Sequence, residues 1–191
     1  MPMPRLAPVV REATPADADL LLRLWAEATR TGEPGEQARR DAAQALANSA
    51  ADPDEQLLVA ACDERIVAAL YLSRGPISPL SLDQAVHTSY LVVSPGYRRH
   101  GYGHALMDAA VAWAEEKGVE QVSAFTDGTR ETNRFLARLG LGTVATVRLA
   151  STAALRKKLS VERVRSAPGG NRHLVEVLAQ RRTARRRQGG A

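Results

Sequence analysis

Cysteine is all but missing from this sequence. Cys62 is the single copy, which excludes an internal disulfide, and its neighbours Val59, Ala60 and Ala61 suit a buried, inert thiol. No cysteine–histidine spacing of the kind that grips a metal is present. Aromatic residues make up only 4% of the chain, so the core must be drawn mostly from Leu, Val and Ala. No run reaches the roughly 18 apolar residues that cross a bilayer, and Met1–Val10 lacks the apolar segment of a signal peptide. A soluble, cytoplasmic protein without membrane association is the expectation.

Acidic residues are scarce in one region only. From Ser151 onward 11 Lys/Arg stand against 2 Asp/Glu, a net of +9, whereas residues 1–150 hold 15 against 19, a net of −4. The basic balance therefore belongs to the tail, and the body is mildly acidic. At 191 residues the chain can bury a sizeable core, and it reads as one domain over 1–150 with a basic extension over 151–191.

The stretch LVVSPGYRRHGYGHALMDAAV, Leu91 to Val111, organises the rest. A β-branched strand, Leu91-Val92-Val93, breaks at Ser94-Pro95-Gly96, runs through Arg98-Arg99-His100-Gly101-Tyr102-Gly103 and enters a helix at His104. A helix start offers unpaired N–H groups and a partial positive charge, and glycines there let a bulky anion come close. Strand, glycine turn and helix together make a phosphate cradle. The Walker pattern fails because His104-Ala105 replaces Lys-Ser/Thr, and the dinucleotide pattern fails because its last glycine falls on Leu106.

Around this stretch the pattern alternates strands and helices. Val9–Arg11 is a first strand. Thr14-Pro15-Ala16-Asp17 opens a helix whose apolar face holds Leu21, Leu24, Trp25 and Ala28. A second helix over 37–51 turns Ala38, Ala42, Ala45 and Leu46 inward. Leu57–Cys62 and Ile66–Ser73 form a hairpin, Arg74–Asp83 a loop, and Gln84–Val93 the strand that feeds the cradle. After the cradle helix come a short strand over 121–126, a helix over 131–139 stopped by Gly140, and a last strand over 143–149. In the tail, 153–164 and 173–187 have helical character. This order gives an α+β fold with a mainly antiparallel sheet flanked by helices.

Arg98-x-x-Gly101-x-Gly103 after a strand and a Ser-Pro turn, before a long helix, resembles the diphosphate-binding segment of the GNAT superfamily, the acyl-CoA-dependent N-acyltransferases. The resemblance covers residues 9 to 150 and implies a GNAT-like mixed sheet and acetyl-CoA as co-substrate. It places Leu91, Val92 and Val93 along the pantetheine arm, in a V between that strand and a parallel neighbour at 121–126. It implies that backbone N–H groups from Arg98 through His104, Arg99, His100, Gly101, Tyr102 and Gly103 included, meet the diphosphate, with an Arg98 or Arg99 side chain assisting. Asn133 matches an asparagine beside the pantetheine in many members; its other reading is a polar residue of a helix first turn.

Acyl transfer to an amine needs a base for the amine and a proton for the departing thiolate. Strand periodicity puts His87, Ser89, Leu91 and Val93 on one face, which makes His87 the candidate base, beside Ser89. The alternative for His87 is a bond to a neighbouring carbonyl. Many family members have Tyr-x-x-Leu-Gly-Phe where this chain has Leu136-Ala137-Arg138-Leu139-Gly140-Leu141, so the family's usual donor is absent. Tyr90, Tyr71 or solvent then supplies the proton, or the domain binds acyl-CoA without turnover. No side chain offers itself as an acyl carrier, so direct transfer in a ternary complex is expected. The loops over 31–36 and 75–82 hold few charges and suggest a small or neutral acceptor. The basic tail allows electrostatic nucleic-acid binding, docking on the acidic body of its own chain or of a second copy, or simple solvation.

Overall fold

The computed structural model describes residues 8–63, 65–144 and 150–166. The chain divides in two, residues 1–142 and 143–191. The first part carries a five-stranded sheet in the order β1-β2-β3-β4-β5, comprising β1 (Val9–Glu12), β2 (Glu55–Cys62), β3 (Arg65–Pro76), β4 (Gln84–Val93) and β5 (Val122–Ala124). Its helices are α1 (Ala18–Thr29), α2 (Glu36–Ala51), α3 (Tyr102–Glu116) and α4 (Arg130–Arg138). In the second part α5 spans Thr152–Ser166, with Leu155 and Leu159 exposed.

The first three pairings are antiparallel, and β4 joins β5 in parallel. Both sheet faces are covered, as the near-continuous apolar runs of β2 and β3 require. On one face Leu58, Ala60, Leu70, Leu72 and Val86 pack against Leu106, Met107, Ala110 and Trp113 of α3. On the other, Val59, Ile66 and Ala69 pack against Leu21 and Leu24 of α1 and Leu46 of α2. Each such leucine contributes about 1.5–3 kcal/mol by leaving water. The tight start of the first helical segment is held by Asp17, whose buried carboxylate takes two bonds from the Arg11 guanidinium at 2.7 and 2.8 Å and the Thr14 N–H at 2.8 Å. The Arg11 hydrogen bonds, opposed by burial, lower that carboxyl to a pKa of about 2.

Several expectations need correction. In α2 the inward position falls to Ser49 rather than Ala45, which is exposed. The strand β3 runs on to Pro76, and β5 is only three residues long. Thr143 and Val144 form no strand; residues 145–149 of that expected strand, and the expected helix over 173–187, lie outside the described residues. The most consequential change is in β4. Between the pairs Tyr71↔Ser89 and Ala69↔Val92 the strand β3 advances two residues and β4 advances three. The extra residue is a bulge at Tyr90, which takes φ +54°. It flips the alternation, so Leu91 and Val93 pack with the α3-side core, whereas His87 and Ser89 lie with Ser73 and Tyr71 on the α1/α2 side. The four residues do not share one face.

Candidate functional site

At the end of β4 the backbone turns through a single 3-10 turn, Pro95–Tyr97, and reaches α3 through Arg98–Gly101. The turn is fastened from below. Ser94 is buried, its N–H donates to the Val67 carbonyl at 2.8 Å, and its hydroxyl donates to Glu27 of α1 at 3.1 and 3.2 Å. Arg65 pairs with Glu27 at 3.2 Å and lies over the Tyr97 ring at 5.8 Å, and Tyr97 meets Tyr102 edge-on at 6.0 Å.

Gly101 is the residue before α3 and has φ +92°, a conformation that a side chain would strain. No side chain caps this helix start, and its first internal bond runs from Ala105 N–H to the Gly101 carbonyl at 3.0 Å. The N–H groups ahead of Ala105 thus face outward at the positive end of a 15-residue helix. Basic groups surround them. Arg98 is half-exposed and pairs with Glu131 of α4 at 3.2 Å, Arg99 is exposed with φ +64°, and His100 Nδ1 lies 2.7 Å from the Arg98 carbonyl. His104 packs edge-on against Phe135 at 5.3 Å, and Gly103 faces the same ring. Tyr102 stands beside Cys62; that contact, then burial, pushes its phenol up to about 12. Cys62 is half-buried here, not enclosed among the apolar residues that flank it in sequence.

An unpaired strand edge leads away from this cradle along β4. The strands β4 and β5 pair only at Val86–Thr88 and Val122–Ala124. The last bond between them runs from Phe125 N–H to the Thr88 carbonyl at 2.7 Å. Beyond it, β4 from the Tyr90 bulge to Val93 has β3 on one side and no strand on the other among the described residues. The strands part here: Leu91 and Val92 have no strand partner on that side, and the Val93 carbonyl accepts a long bond from Arg98 Nε at 3.4 Å. The Asn133 amide donates to the Gly128 carbonyl at 3.2 Å and accepts from Thr126 at 3.3 Å, so it holds the loop after β5.

At the closed end of the parting lies His87. Its Nδ1 is 2.7 Å from Ser123 Oγ, and its ring lies 6.0 Å from that of Phe125. Ser89 is half-buried one step along the same face, and Tyr90 is exposed on the bulge with its ring 6.5 Å from Trp25. Tyr71 is half-buried; burial first, then the neighbouring Glu55 carboxylate, pushes it up to about 12, which makes it a reluctant proton donor. Leu136 is buried in α4. From His87 to Val93 the strand covers about 20 Å, so Cys62, at the cradle end, is far from the histidine.

The structure therefore sets Arg98 through His104 at one end of the strand edge and His87, Ser89 and Tyr90 at the other, with Leu91–Val93 between. The sequence did not point to Ser94, Glu27 or Ser123, because each acts through a partner remote in the chain. Among the described residues no group of three His, Cys, Asp or Glu could hold a metal, and no helix is long and apolar enough to cross a membrane.

The chain matches the Acetyltransferase (GNAT) family over residues 19–141. Among solved structures it is similar to a transcriptional regulator from Bacillus halodurans C-125, at 23% identity and a TM-score of 0.68, covering 76% of this chain and 100% of that one. It is also similar to glucosamine-6-phosphate N-acetyltransferase from Arabidopsis thaliana (12% identity, TM-score 0.63, covering 77% and 99%). A third similar structure is the aminoglycoside N-acetyltransferase AAC(6')-Iy in complex with CoA (15% identity, TM-score 0.60, covering 76% and 95%). At these identities the likeness concerns the fold. No curated protein sequence matches the chain significantly.

Proposed function

Because the chain belongs to the GNAT acetyltransferase family, whose members transfer acyl groups, we propose that it moves the acetyl group of acetyl-CoA to an amine acceptor by direct transfer in a ternary complex. The observation that carries this reading is the continuity of an uncapped α3 start, with Gly101 at φ +92°, and the free edge of β4. Coenzyme A fits both: outward N–H groups and flanking arginines suit a diphosphate, and an unpaired strand edge suits an amide-bearing arm. When bound, the thioester supplies an activated acetyl group.

This chain's residues then have distinct tasks. The N–H groups ahead of Ala105 hold the diphosphate, with the Arg98 and Arg99 side chains adding charge. The edge from Leu91 to Val93 aligns the arm, and Asn133 holds the loop after β5. Formation of an amide requires one proton to leave the acceptor nitrogen and one to reach sulfur. His87 takes the first, directly or through water: with Nδ1–H donating to Ser123 Oγ, its Nε2 keeps a lone pair. Ser89 lines the acceptor side. Tyr90 or solvent returns a proton to sulfur, since Leu136 has none and burial, then the Glu55 carboxylate, pushes the Tyr71 phenol up to about 12. The separation of Cys62 from His87 supports direct transfer over a cysteine-carried acetyl group.

One observation favours a second reading, a domain that binds acyl-CoA without turnover: Leu136, buried, stands where many relatives have a tyrosine. Calorimetry with acetyl-CoA, followed by thiol release over an amine panel, separates the two. Binding with release supports transfer, binding without release from any amine supports the second reading, and no binding rejects both.

A further inference from the structure

The strand register lines up polar side chains that are far apart in sequence. Glu55, Ser73, His87 and Ser123 are successive partners across β2, β3, β4 and β5. The alternation of each strand puts all four on the α1/α2 side of the sheet, opposite Leu58, Leu72 and Val86. All four are partly exposed. In the adjoining row Tyr71 pairs with Ser89 and with Leu57, which makes it the diagonal neighbour of Glu55. The rings of Tyr90 and Trp25, 6.5 Å apart and tilted at 60°, stand beside this surface. Among the described residues no Lys, Arg or His forms an ion pair with Glu55, although Arg74, on the opposite side of the sheet, pairs with the neighbouring Asp54 at 2.6 Å.

A carboxylate left without a cation, a phenol diagonal to it and two nearby aromatic faces form a surface suited to an ammonium group. Two strand spacings separate Glu55 from His87, about 10 Å. We infer that the acceptor amine carries a second positive centre, which Glu55 holds while the reacting nitrogen lies at His87. The inference rests on the acetyl-transfer reading and narrows it to dicationic or polycationic amines. It replaces the small or neutral acceptor suggested by the sparsely charged loops, because the carboxylate in question, Glu55, sits on the sheet. The reacting nitrogen must give up its proton to attack, whereas the second centre stays charged and orients the molecule.

The test measures thiol release from acetyl-CoA with α,ω-diamines of increasing length and with n-alkylamines of matching length. The wild-type protein is expected to prefer the diamines by about tenfold or more in kcat/KM, the equivalent of one good charge contact, and to show an optimum chain length. In Glu55→Gln the ratio of diamine to alkylamine kcat/KM is expected to fall towards one. Equal use of both amine classes by the wild-type protein overturns this inference and leaves acetyl transfer intact. A preference that survives in Glu55→Gln also overturns it. Release with neither class overturns the transfer reading and the inference together.

Discussion

The Ser94 hydroxyl donates to both carboxylate oxygens of Glu27, at 3.1 and 3.2 Å, and so ties α1 to the turn that opens the α3 entrance. The two residues are 67 positions apart. The same Glu27 pairs with Arg65, which lies over Tyr97 of that turn, so the carboxylate serves two attachments of one loop.

Replacing Ser94 with Ala removes a buried donor to a charged acceptor. We expect a loss of about 1–3 kcal/mol of stability, seen as a lower midpoint in urea. KM for acetyl-CoA should rise several-fold while kcat changes little, because the altered contact lies at the cradle and not beside His87.

The two cradle glycines should behave differently. Gly101→Ala forces a side chain to φ +92° and should cost about 1–2 kcal/mol, with weaker acetyl-CoA binding. Gly103 is inside the helix, where a new Cβ would lie 3.4 Å from the edge of Phe135. Gly103→Ala should melt at or above the wild-type temperature, since Ala favours helix, yet bind acetyl-CoA several-fold more weakly. Calorimetry beside thermal melts resolves the pair; unchanged affinity in both variants would remove the cradle from the mechanism.

Stability should fall in acid through Asp17. Its pKa is lowered from 3.8 to about 2, chiefly by Arg11, so the folded state binds a proton less readily than the unfolded chain. The contribution is complete above about pH 4 and disappears as pH falls towards 2; for a buried carboxylate it amounts to about 2 kcal/mol. Asp17→Asn should therefore be less stable than wild type at pH 6, with the gap closing near pH 2. A gap independent of pH would assign the effect to packing.

His87→Gln should lower kcat by about 100-fold or more and flatten the acid limb of the pH–rate profile, because glutamine cannot accept the amine's proton. Ser123→Ala should lower kcat by less than His87→Gln does, since only the partner of Nδ1 is lost. An unchanged profile in His87→Gln would leave water as the base.

Much of the architecture was readable from local signals. The hairpin of β2 and β3, the extent of β4, the Ser-Pro break and the glycine helix entrance all depend on residue types within a few positions of one another. What was not readable depends on register. One inserted residue at Tyr90 moved His87 and Ser89 to the face opposite Leu91 and Val93, and no periodicity in a single strand reports a bulge. The row from Glu55 to Ser123 and the Ser94–Glu27 tie likewise unite residues that only pairing across the fold brings close. In α2, alanine's indifference to burial made Ala45 and Ser49 hard to rank.

The brevity of β5 has a consequence of its own. Two parallel strands that begin to pair tend to go on zipping, and a longer β5 would seal the backbone edge of Leu91–Val93 with hydrogen bonds of its own. The chain is diverted at Thr126, whose hydroxyl accepts from Gly128 N–H at 2.8 Å and donates to Asn133. Those few bonds act as a stop on the zipper. They hold the sheet one step short of completion, so the rung beyond Thr88 stays unfilled by the chain's own strands among the described residues.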